Sequence, residues 1–164
     1  HKDYPTYLRT AAEVIKADPT IHFIIAGQGP EEKRIQKMIR SLHLEGNVHM
    51  LGFRDDIVDV MKSLDLFLIT SKTEGLGTIV LEAFAAGVPV VATRAGGIPE
   101  MVEDTVTGLL AEPGDTESLK NATLRVLTDP LLKNTFVQNA LTRVQDFSYQ
   151  ATAEKTLEIY KRSE

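Results

Sequence analysis

Two hydrophobic periods alternate along this chain, one typical of helices and the other of buried strands. Leu8, Ala11, Ala12 and Ile15 follow the i, i+3, i+4, i+7 spacing of an amphipathic helix. The uninterrupted apolar run at 21–26 then predicts a strand that is buried on both faces. The same alternation continues, with strands predicted at 48–51, 66–69, 89–92 and 109–110 and helices near 35–42, 57–64, 78–86 and 99–102. Gly87 is expected to end the helix at 78–86. The buried stripe of the helix at 35–42 is predicted to consist of Ile35, Met38, Ile39 and Leu42.

Strands that are apolar throughout, separated by amphipathic helices, are typical of a parallel sheet covered on both faces. The pattern therefore predicts an α/β domain, Rossmann-like, with an open parallel sheet. From about residue 115 onward the chain reads as helical only, in segments that start near Thr116, Pro130 and Ser148. A length of 164 residues fits a single domain over 1–164.

Composition excludes several classes of protein. Hydrophobic residues make up 43% of the chain and charged residues 25%, as in an ordinary folded domain. The net charge of −5 argues against a nucleic-acid binder, so no nucleic-acid partner is expected. The absence of cysteine excludes disulfides, zinc–thiolate sites and cysteine nucleophiles. No apolar run approaches the ~20 residues of a membrane span, and the polar first residues do not resemble a secretory signal, so we expect a cytoplasmic location.

A single acidic residue interrupts the most apolar segment of the chain. Residues 75–91 contain one charge, that of Glu82. A carboxylate in so apolar a helix is costly unless it has a partner, reaches a polar cavity or lies at an exposed position. The sequence leaves two interpretations open: an exposed or backbone-bonded helix residue, or a contact to a ligand.

The segment 74–78 (Glu-Gly-Leu-Gly-Thr) connects a predicted strand to that helix. In open α/β sheets, ligands bind beyond the carboxyl ends of the strands. Glycines there let the backbone approach a ligand closely, and the free N–H groups of a first helical turn favour an anion such as phosphate. The alternative is a plain tight turn.

Two further glycine turns have the same ambiguity. Gly27 and Gly29 follow a strand and precede a helix, but Glu32 occupies the third glycine position of a dinucleotide-binding fingerprint, so that motif is absent. Gly96 and Gly97 form a similar turn after the strand at 89–92. Each could approach a nucleotide or simply connect a strand to a helix.

No metal site is predicted. Asp55 and Asp56 form an acidic pair, but their place before a helix is better explained by helix capping. The four histidines are scattered, and no pair, including His22 and His49 in predicted strands, has the spacing of metal ligands.

Taken together, these segments resemble the signature of the retaining glycosyltransferases of family four, the group 1 transferases. Glu74 and Glu82 are separated by seven residues, as that signature requires, and 87–92 (Gly-Val-Pro-Val-Val-Ala) follows at the expected place. Five other segments resemble motifs of the family and occur in the same order. They are 26–30, similar to the family's G-x-G-P turn; 48–53, similar to its V-x-x-x-G-F segment; and 96–100, similar to its G-G-x-x-E turn. The last two are 107–110 (Thr-Gly-Leu-Leu), similar to its N-G-L-L strand, and 147–149 (Phe-Ser-Tyr), similar to its F-S-W motif.

The resemblance implies the C-terminal, donor-binding half of a GT-B fold, in which two Rossmann-like halves enclose the active site. It implies a nucleoside diphosphate sugar as donor substrate, retention of anomeric configuration, and no cofactor or metal. The expected partner is an N-terminal, acceptor-binding domain. In the full-length protein, the resemblance also suggests peripheral contact with the cytoplasmic face of a membrane.

The resemblance further assigns roles to individual residues. Glu74 would hold hydroxyls of the transferred sugar and Lys2 the diphosphate, as the catalytic pair. Glu82 would accept hydrogen bonds from the donor ribose. The remaining donor-binding positions are Gly27, Gly29, Phe53, Gly75, Leu76, Gly77 and Thr78.

The chain departs from the family pattern in three ways. The arginine that precedes the lysine is absent, and so is the first strand of the half-domain, which leads us to expect an open central position in the sheet. Thr70-Ser71 replaces the usual Pro-Ser, and Leu76 replaces the usual Phe. Two alternatives remain: half of a nucleotide-sugar 2-epimerase, which shares the GT-B layout, or a non-catalytic α/β interaction module.

Overall fold

Helices and strands alternate along residues 1–147, which are the residues that the computed structural model describes. The helices are α1 (Tyr4–Ala17), α2 (Glu32–Ser41), α3 (Ile57–Lys62), α4 (Ile79–Ala85), α5 (Ile98–Met101), α6 (Thr116–Thr128) and α7 (Pro130–Arg143), followed by a short 3-10 helix, Val144–Phe147. The strands are β1 (Phe23–Ala26), β2 (Val48–Gly52), β3 (Phe67–Ile69), β4 (Val90–Thr93) and β5 (Gly108–Ala111). The helix predicted to start near Ser148 lies outside the described residues.

All strand pairs are parallel, as the apolar strands predicted. β1 pairs with β2, while β4 lies between β3 and β5. Val90 at the start of β4 is opposite Phe67 on one side and Gly108 on the other. Every residue of β4 is buried, which explains why its sequence has no polar alternation.

The strands β1 and β2 pack against helix α1 in a hydrophobic cluster of their own. Around β1 and β2, the fully buried Leu8, Ala11 and Val14 of α1 pack with Phe23 and Ile25. Ala12 and Ile15, predicted to lie at the centre of the α1 stripe, are only half-buried. Two threonines of α1, Thr6 and Thr10, are buried as well, so the buried face of α1, which also packs against α6, includes residues outside the predicted stripe.

A groove of about 830 Å³ lies between β1 and β3, which are not hydrogen-bonded to each other. Backbone segments 21–26 and 66–71 line its two walls. The observed order β2-β1, groove, β3-β4-β5 is the Rossmann order 3-2-1-4-5-6 with the position of strand 1 open. The predicted Rossmann-like fold with an open central position is confirmed.

The first residues of the chain lie along the carboxyl end of β3. The Lys72 N–H donates to the His1 carbonyl oxygen at 2.9 Å, and the Thr70 hydroxyl donates to the Lys2 carbonyl oxygen at 3.1 Å. Lys72 also forms an ion pair with Asp3, whose side chain is almost fully buried (N–O 3.4 Å). These contacts hold Lys2 beside the loop that follows β3.

Two local predictions have opposite outcomes. Gly87 directly follows the α4 C-cap with φ +71°, which confirms its predicted role in ending the helix. Asp56 occupies the N-cap position of α3, but the predicted side-chain cap is wrong. Its carboxylate accepts a hydrogen bond from Arg54 Nε at 2.7 Å instead, so the arginine has displaced the helix amides as its partner.

The histidine prediction needs a correction as well. His22 precedes β1 and is exposed, and its Nδ1 lies 3.0 Å from Nε2 of His49 across the two strands. Parallel pairing has brought together two residues that are 27 positions apart in sequence. Even so, no cluster of three metal-ligating side chains occurs within 1–147, and no helix in that range is long and apolar enough to cross a membrane.

Candidate functional site

The candidate site lies at the edge where the parallel strands end, because their carboxyl ends point the same way. Five connecting segments meet this edge: 27–31 after β1, 53–56 after β2, 70–78 after β3, 94–97 after β4 and 112–115 after β5. The N-terminal residues 1–3 are bonded to the third of these segments. The sequence-predicted site residues are carried on these segments, on 1–3 and on the first turn of α4.

The Glu74 carboxylate is bonded to two other side chains near this edge. Its Oε2 accepts hydrogen bonds from Lys2 Nζ at 2.8 Å and from the Ser71 hydroxyl at 3.0 Å. The Glu74 side chain is 17% exposed, whereas the Lys2 side chain is 52% exposed. The predicted catalytic pair is therefore in direct contact, with the carboxylate sheltered and the ammonium accessible to solvent.

The surroundings of Glu74 keep its carboxylate ionised. Partial burial raises the pKa of Glu74, but this is outweighed by the hydrogen bonds from Lys2 and Ser71, the charge of Lys2 and a backbone hydrogen bond from Gly75. The net effect is a pKa below the usual value of 4.5. The site thus holds a negative charge next to a positive one at neutral pH.

The Gly96–Gly97 turn supports the Glu74 loop from beneath. Gly97 N–H donates to the Gly75 carbonyl oxygen at 2.8 Å. A Cβ at position 97 would lie 2.9 Å from that same oxygen. These glycines therefore have a packing role: only residues without a side chain let the two loops approach this closely.

The segment that leads into α4 has one buried and several exposed residues. Gly77 is buried with φ +66°, and a Cβ there would lie 3.0 Å from a side-chain carbon of Ile98. Leu76 is 69% exposed, and Gly75 and Thr78 are also exposed. Thr78 is the N-cap of α4 but makes no side-chain cap. The exposed backbone here is open to a ligand.

Glu82 lies in the first turn of α4, and its side chain is exposed. Of the two interpretations left by the sequence, the exposed helix position is the one observed. Exposure alone removes the desolvation cost that made this carboxylate unusual. Its solvent-facing position near the start of α4 leaves the Glu82 carboxylate accessible to a ligand.

The second glycine turn forms a separate part of the edge. Gly27 has φ +127° and donates its N–H to the Gly52 carbonyl oxygen at 2.7 Å, which ties the ends of β1 and β2 together. A cavity of about 150 Å³ is lined by 27–32 together with Tyr4 and Met50. Gly29 is exposed, and Phe53, which follows β2, is 70% exposed.

Lys2 and Glu74 were predicted as site residues from the sequence, but the hydrogen bond that Ser71 donates to Glu74 was not. Ser71 is fully buried, and its carbonyl oxygen accepts a hydrogen bond from the Thr93 hydroxyl at 2.6 Å. A small polar residue three positions before Glu74, at the end of an apolar strand, was the available signal.

Known proteins similar to this chain agree on its family. Residues 1–143 match the family described as "Glycosyl transferases group 1". N-acetyl-alpha-D-glucosaminyl L-malate synthase of Bacillus anthracis is 35% identical over 138 residues, which are 84% of this chain and 35% of that protein. D-inositol 3-phosphate glycosyltransferase of Saccharomonospora viridis is 31% identical over 95% of this chain and 39% of its own length. The chain thus spans well under half the length of these relatives.

Solved structures agree with the sequence relatives. Anabaena HepE, determined in complex with UDP, has a TM-score of 0.83 and 31% identity over 95% of this chain and 44% of its own. A structure of S. aureus TarM has a TM-score of 0.90 and 27% identity, over 97% of this chain and 33% of that one. The C-terminal domain of a group 1 glycosyltransferase (LpcC) from Francisella tularensis has a TM-score of 0.80 and 25% identity, over 88% of this chain and 78% of that domain.

The Francisella structure is itself a C-terminal domain, and this chain covers 78% of it. The likeness in fold therefore places this chain in the C-terminal part of the family architecture. The chain belongs to the group 1 glycosyltransferases and has the fold of the C-terminal half of a GT-B protein.

Proposed function

We propose that this chain binds the nucleoside diphosphate sugar donor of a retaining glycosyltransferase that transfers a hexosyl unit. The observation that carries the proposal is the contact between Lys2 and Glu74 at the carboxyl edge of the strands. A sheltered carboxylate suits neutral sugar hydroxyls, and an accessible ammonium suits a diphosphate. The UDP bound to HepE supports the same proposal.

The proposed chemistry is stabilisation of the leaving group. When the bond between sugar and nucleoside diphosphate breaks, negative charge grows on the β-phosphate. An ammonium has three N–H donors. Glu74 takes one of those of Lys2, so the others are available for phosphate oxygens. The Gly75 N–H is already bonded to Glu74, but the exposed Leu76 adds a backbone N–H that would contribute about 3 kcal/mol in a site from which water is excluded.

Glu74 serves to orient the donor sugar in this proposal and is not assigned as a nucleophile. Its lowered pKa keeps it a hydrogen-bond acceptor at neutral pH. Glu82, on the exposed first turn of α4, would accept hydrogen bonds from the donor ribose. The reaction assigned to these residues needs no metal ion.

The test is a binding panel of nucleoside diphosphates and their sugar esters, beginning with UDP and UDP-glucose. Calorimetry compares the chain with Glu82→Ala and with Glu13→Ala, a matched change of an exposed helical glutamate on α1. We expect Glu82→Ala to weaken nucleotide binding about tenfold, as loss of hydrogen bonds to a charged acceptor should, and Glu13→Ala to leave it unchanged.

Three other outcomes would point elsewhere. Equal effects of the two glutamate variants would contradict the role of Glu82. No binding and no thermal shift at millimolar nucleotide would favour the non-catalytic interaction module. In the full-length protein, release of an epimerised sugar nucleotide in place of a transfer product would identify the 2-epimerase.

A further inference from the structure

We propose that Ser71 is a positioning residue that fixes the Glu74 carboxylate for the donor sugar. The proposal rests on the proposed donor-binding function of this site. It adds a residue that never touches the donor yet determines how tightly the sugar part, as distinct from the nucleotide part, is held. Two features of the structure support this role: the fixed position of the Ser71 backbone, and the Glu74 oxygen that the Ser71 hydrogen bond leaves accessible.

Ser71 is anchored to the sheet through its backbone carbonyl. It follows β3 by two residues and is fully buried. Its carbonyl oxygen accepts the 2.6 Å hydrogen bond from Thr93 at the end of β4, and Thr93 is also fully buried. Because β3 and β4 are paired along their length, Ser71 belongs to the rigid sheet more than to the loop.

The two partners of Glu74 Oε2 differ in their freedom to move. Lys2 reaches the carboxylate with a long side chain that is 52% exposed, so it is free to adopt other rotamers and to follow a phosphate. The Ser71 hydroxyl rotates about one bond on a fixed backbone. Of the two hydrogen bonds, the one from Ser71 therefore determines the direction in which the carboxylate points.

This arrangement assigns separate tasks to the two oxygens of Glu74. Within residues 1–147, the side-chain hydrogen bonds to Glu74, from Lys2 and Ser71, both reach Oε2. Oε1 receives no side-chain hydrogen bond in that range and is the oxygen assigned to sugar hydroxyls. Removing the Ser71 hydroxyl leaves Lys2 as the remaining side-chain donor to Glu74 within 1–147, together with the N–H of Gly75, its neighbour in the exposed loop. The carboxylate is then no longer bonded to the sheet, and its orientation is not fixed when Lys2 turns to a diphosphate.

The experiment measures the contribution of the sugar to binding as a ratio of two dissociation constants. Calorimetry gives the constants for a nucleoside diphosphate and for its sugar ester, using UDP with UDP-glucose and GDP with GDP-mannose. We expect Ser71→Ala to weaken the sugar ester about fivefold and to leave the diphosphate alone unchanged, as loss of one hydrogen bond predicts. Ser41→Ala, a change of an exposed serine that ends α2, is the control and should change neither.

A double-variant cycle separates positioning from a merely structural role. If Ser71 acts through Glu74, Ser71→Ala has no further effect on the sugar ester once Glu74→Ala is present. A fivefold loss that persists in the double variant, or equal losses for diphosphate and sugar ester, overturns the proposal. Thermal melting of each variant checks that a loss of binding does not come from unfolding.

The results also separate this proposal from the one it rests on. If the unchanged chain binds neither member of any pair, the donor-binding function fails and the role of Ser71 fails with it. If the unchanged chain binds the sugar ester more tightly than the diphosphate but Ser71→Ala keeps that preference, donor binding stands and the role of Ser71 is wrong. Equal binding of both ligands by the unchanged chain also overturns it, since Glu74 then makes no sugar contact.

Discussion

A Cβ at position 96 would lie 1.6 Å from the carbonyl oxygen of Glu74, so Gly96 and the backbone of Glu74 are in contact with no room for a side chain between them. Gly96 also has φ +52°, a left-handed conformation that favours glycine. The turn after β4 thus determines the position of the loop after β3, and with it the position of the candidate site.

Gly96→Ala is expected to destabilise the fold and to remove nucleotide binding. The clash with backbone cannot be relieved by a rotamer change, so together with left-handed strain the cost is at least about 3 kcal/mol. In a chain of this size that lowers the melting temperature by about 6–12 °C. Differential scanning calorimetry measures this change in melting temperature.

The chain offers a matched control at Gly46. A Cβ there would meet no atom within 4 Å, and its φ is not positive. Gly46→Ala should melt within about 2 °C of the unchanged chain, as expected of a surface substitution without a clash. Similar melting temperatures for the two variants would mean that the loops are not in the contact described.

The lowered pKa of Glu74 predicts a pH-dependent contribution to stability. The unfolded chain binds a proton near the usual value of 4.5, and the folded chain only below it. The ionised carboxylate therefore stabilises the fold fully above the unfolded pKa, and this contribution is lost as pH falls through the folded pKa.

Glu74→Gln removes this titration while keeping a similar shape. The difference in free energy of unfolding between the chain and Glu74→Gln should be constant from pH 6 to 8 and should shrink progressively below about pH 5. Urea denaturation at each pH measures the difference. A difference that grows in favour of the unchanged chain as the solution becomes acidic would show that the pKa of Glu74 is raised.

The groove between β1 and β3 predicts that an added strand stabilises the chain. His1 is hydrogen-bonded beside the end of β3, so an apolar segment joined ahead of it can run into the groove parallel to both strands. Pairing and burial there should add at least about 2 kcal/mol and raise the melting temperature by about 4–8 °C. A Gly/Ser segment of equal length is the control, and equal melting temperatures would contradict the prediction.

The 164-residue chain alone is expected to transfer no sugar. By resemblance, the acceptor and the opposite wall of the cleft belong to the other half of a GT-B protein. The chain corresponds to 33–44% of the length of the two sequence relatives and of TarM and HepE. Incubation with UDP-glucose and candidate acceptors, followed by chromatography, measures transfer. A glycosylated product from the purified chain would contradict this prediction.

Much of the fold could be predicted because it follows from neighbours in sequence. The run at 89–92 predicted a buried strand, and β4 is buried at every position. In the stripe predicted for α2, Ile35 and Ile39 are buried, whereas Met38 and Leu42 are half-buried. The face of α1 was harder to predict, because α1 also packs against α6, a helix that is about a hundred residues away in the sequence.

The residues of the candidate site could be predicted from the sequence, but the contacts between them could not. Lys2 and Glu74 were identified through resemblance, but their 2.8 Å contact joins residues 72 positions apart. The support of Gly96 for Glu74, and of Thr93 for Ser71, also crosses from one strand end to another. No periodicity in the chain encodes such a meeting.

The sequence by itself determined the order of helices and strands, the parallel sheet and the acidic, basic and glycine residues available to a site. These follow from periodicity and chemistry that act within a few positions along the chain. Only the tertiary structure decided that Glu82 faces solvent, that Ser71 holds Glu74 and that Gly96 packs against the backbone of Glu74. Those outcomes depend on which strands lie side by side, and hydrogen bonds form between neighbouring strands whatever their separation in the sequence.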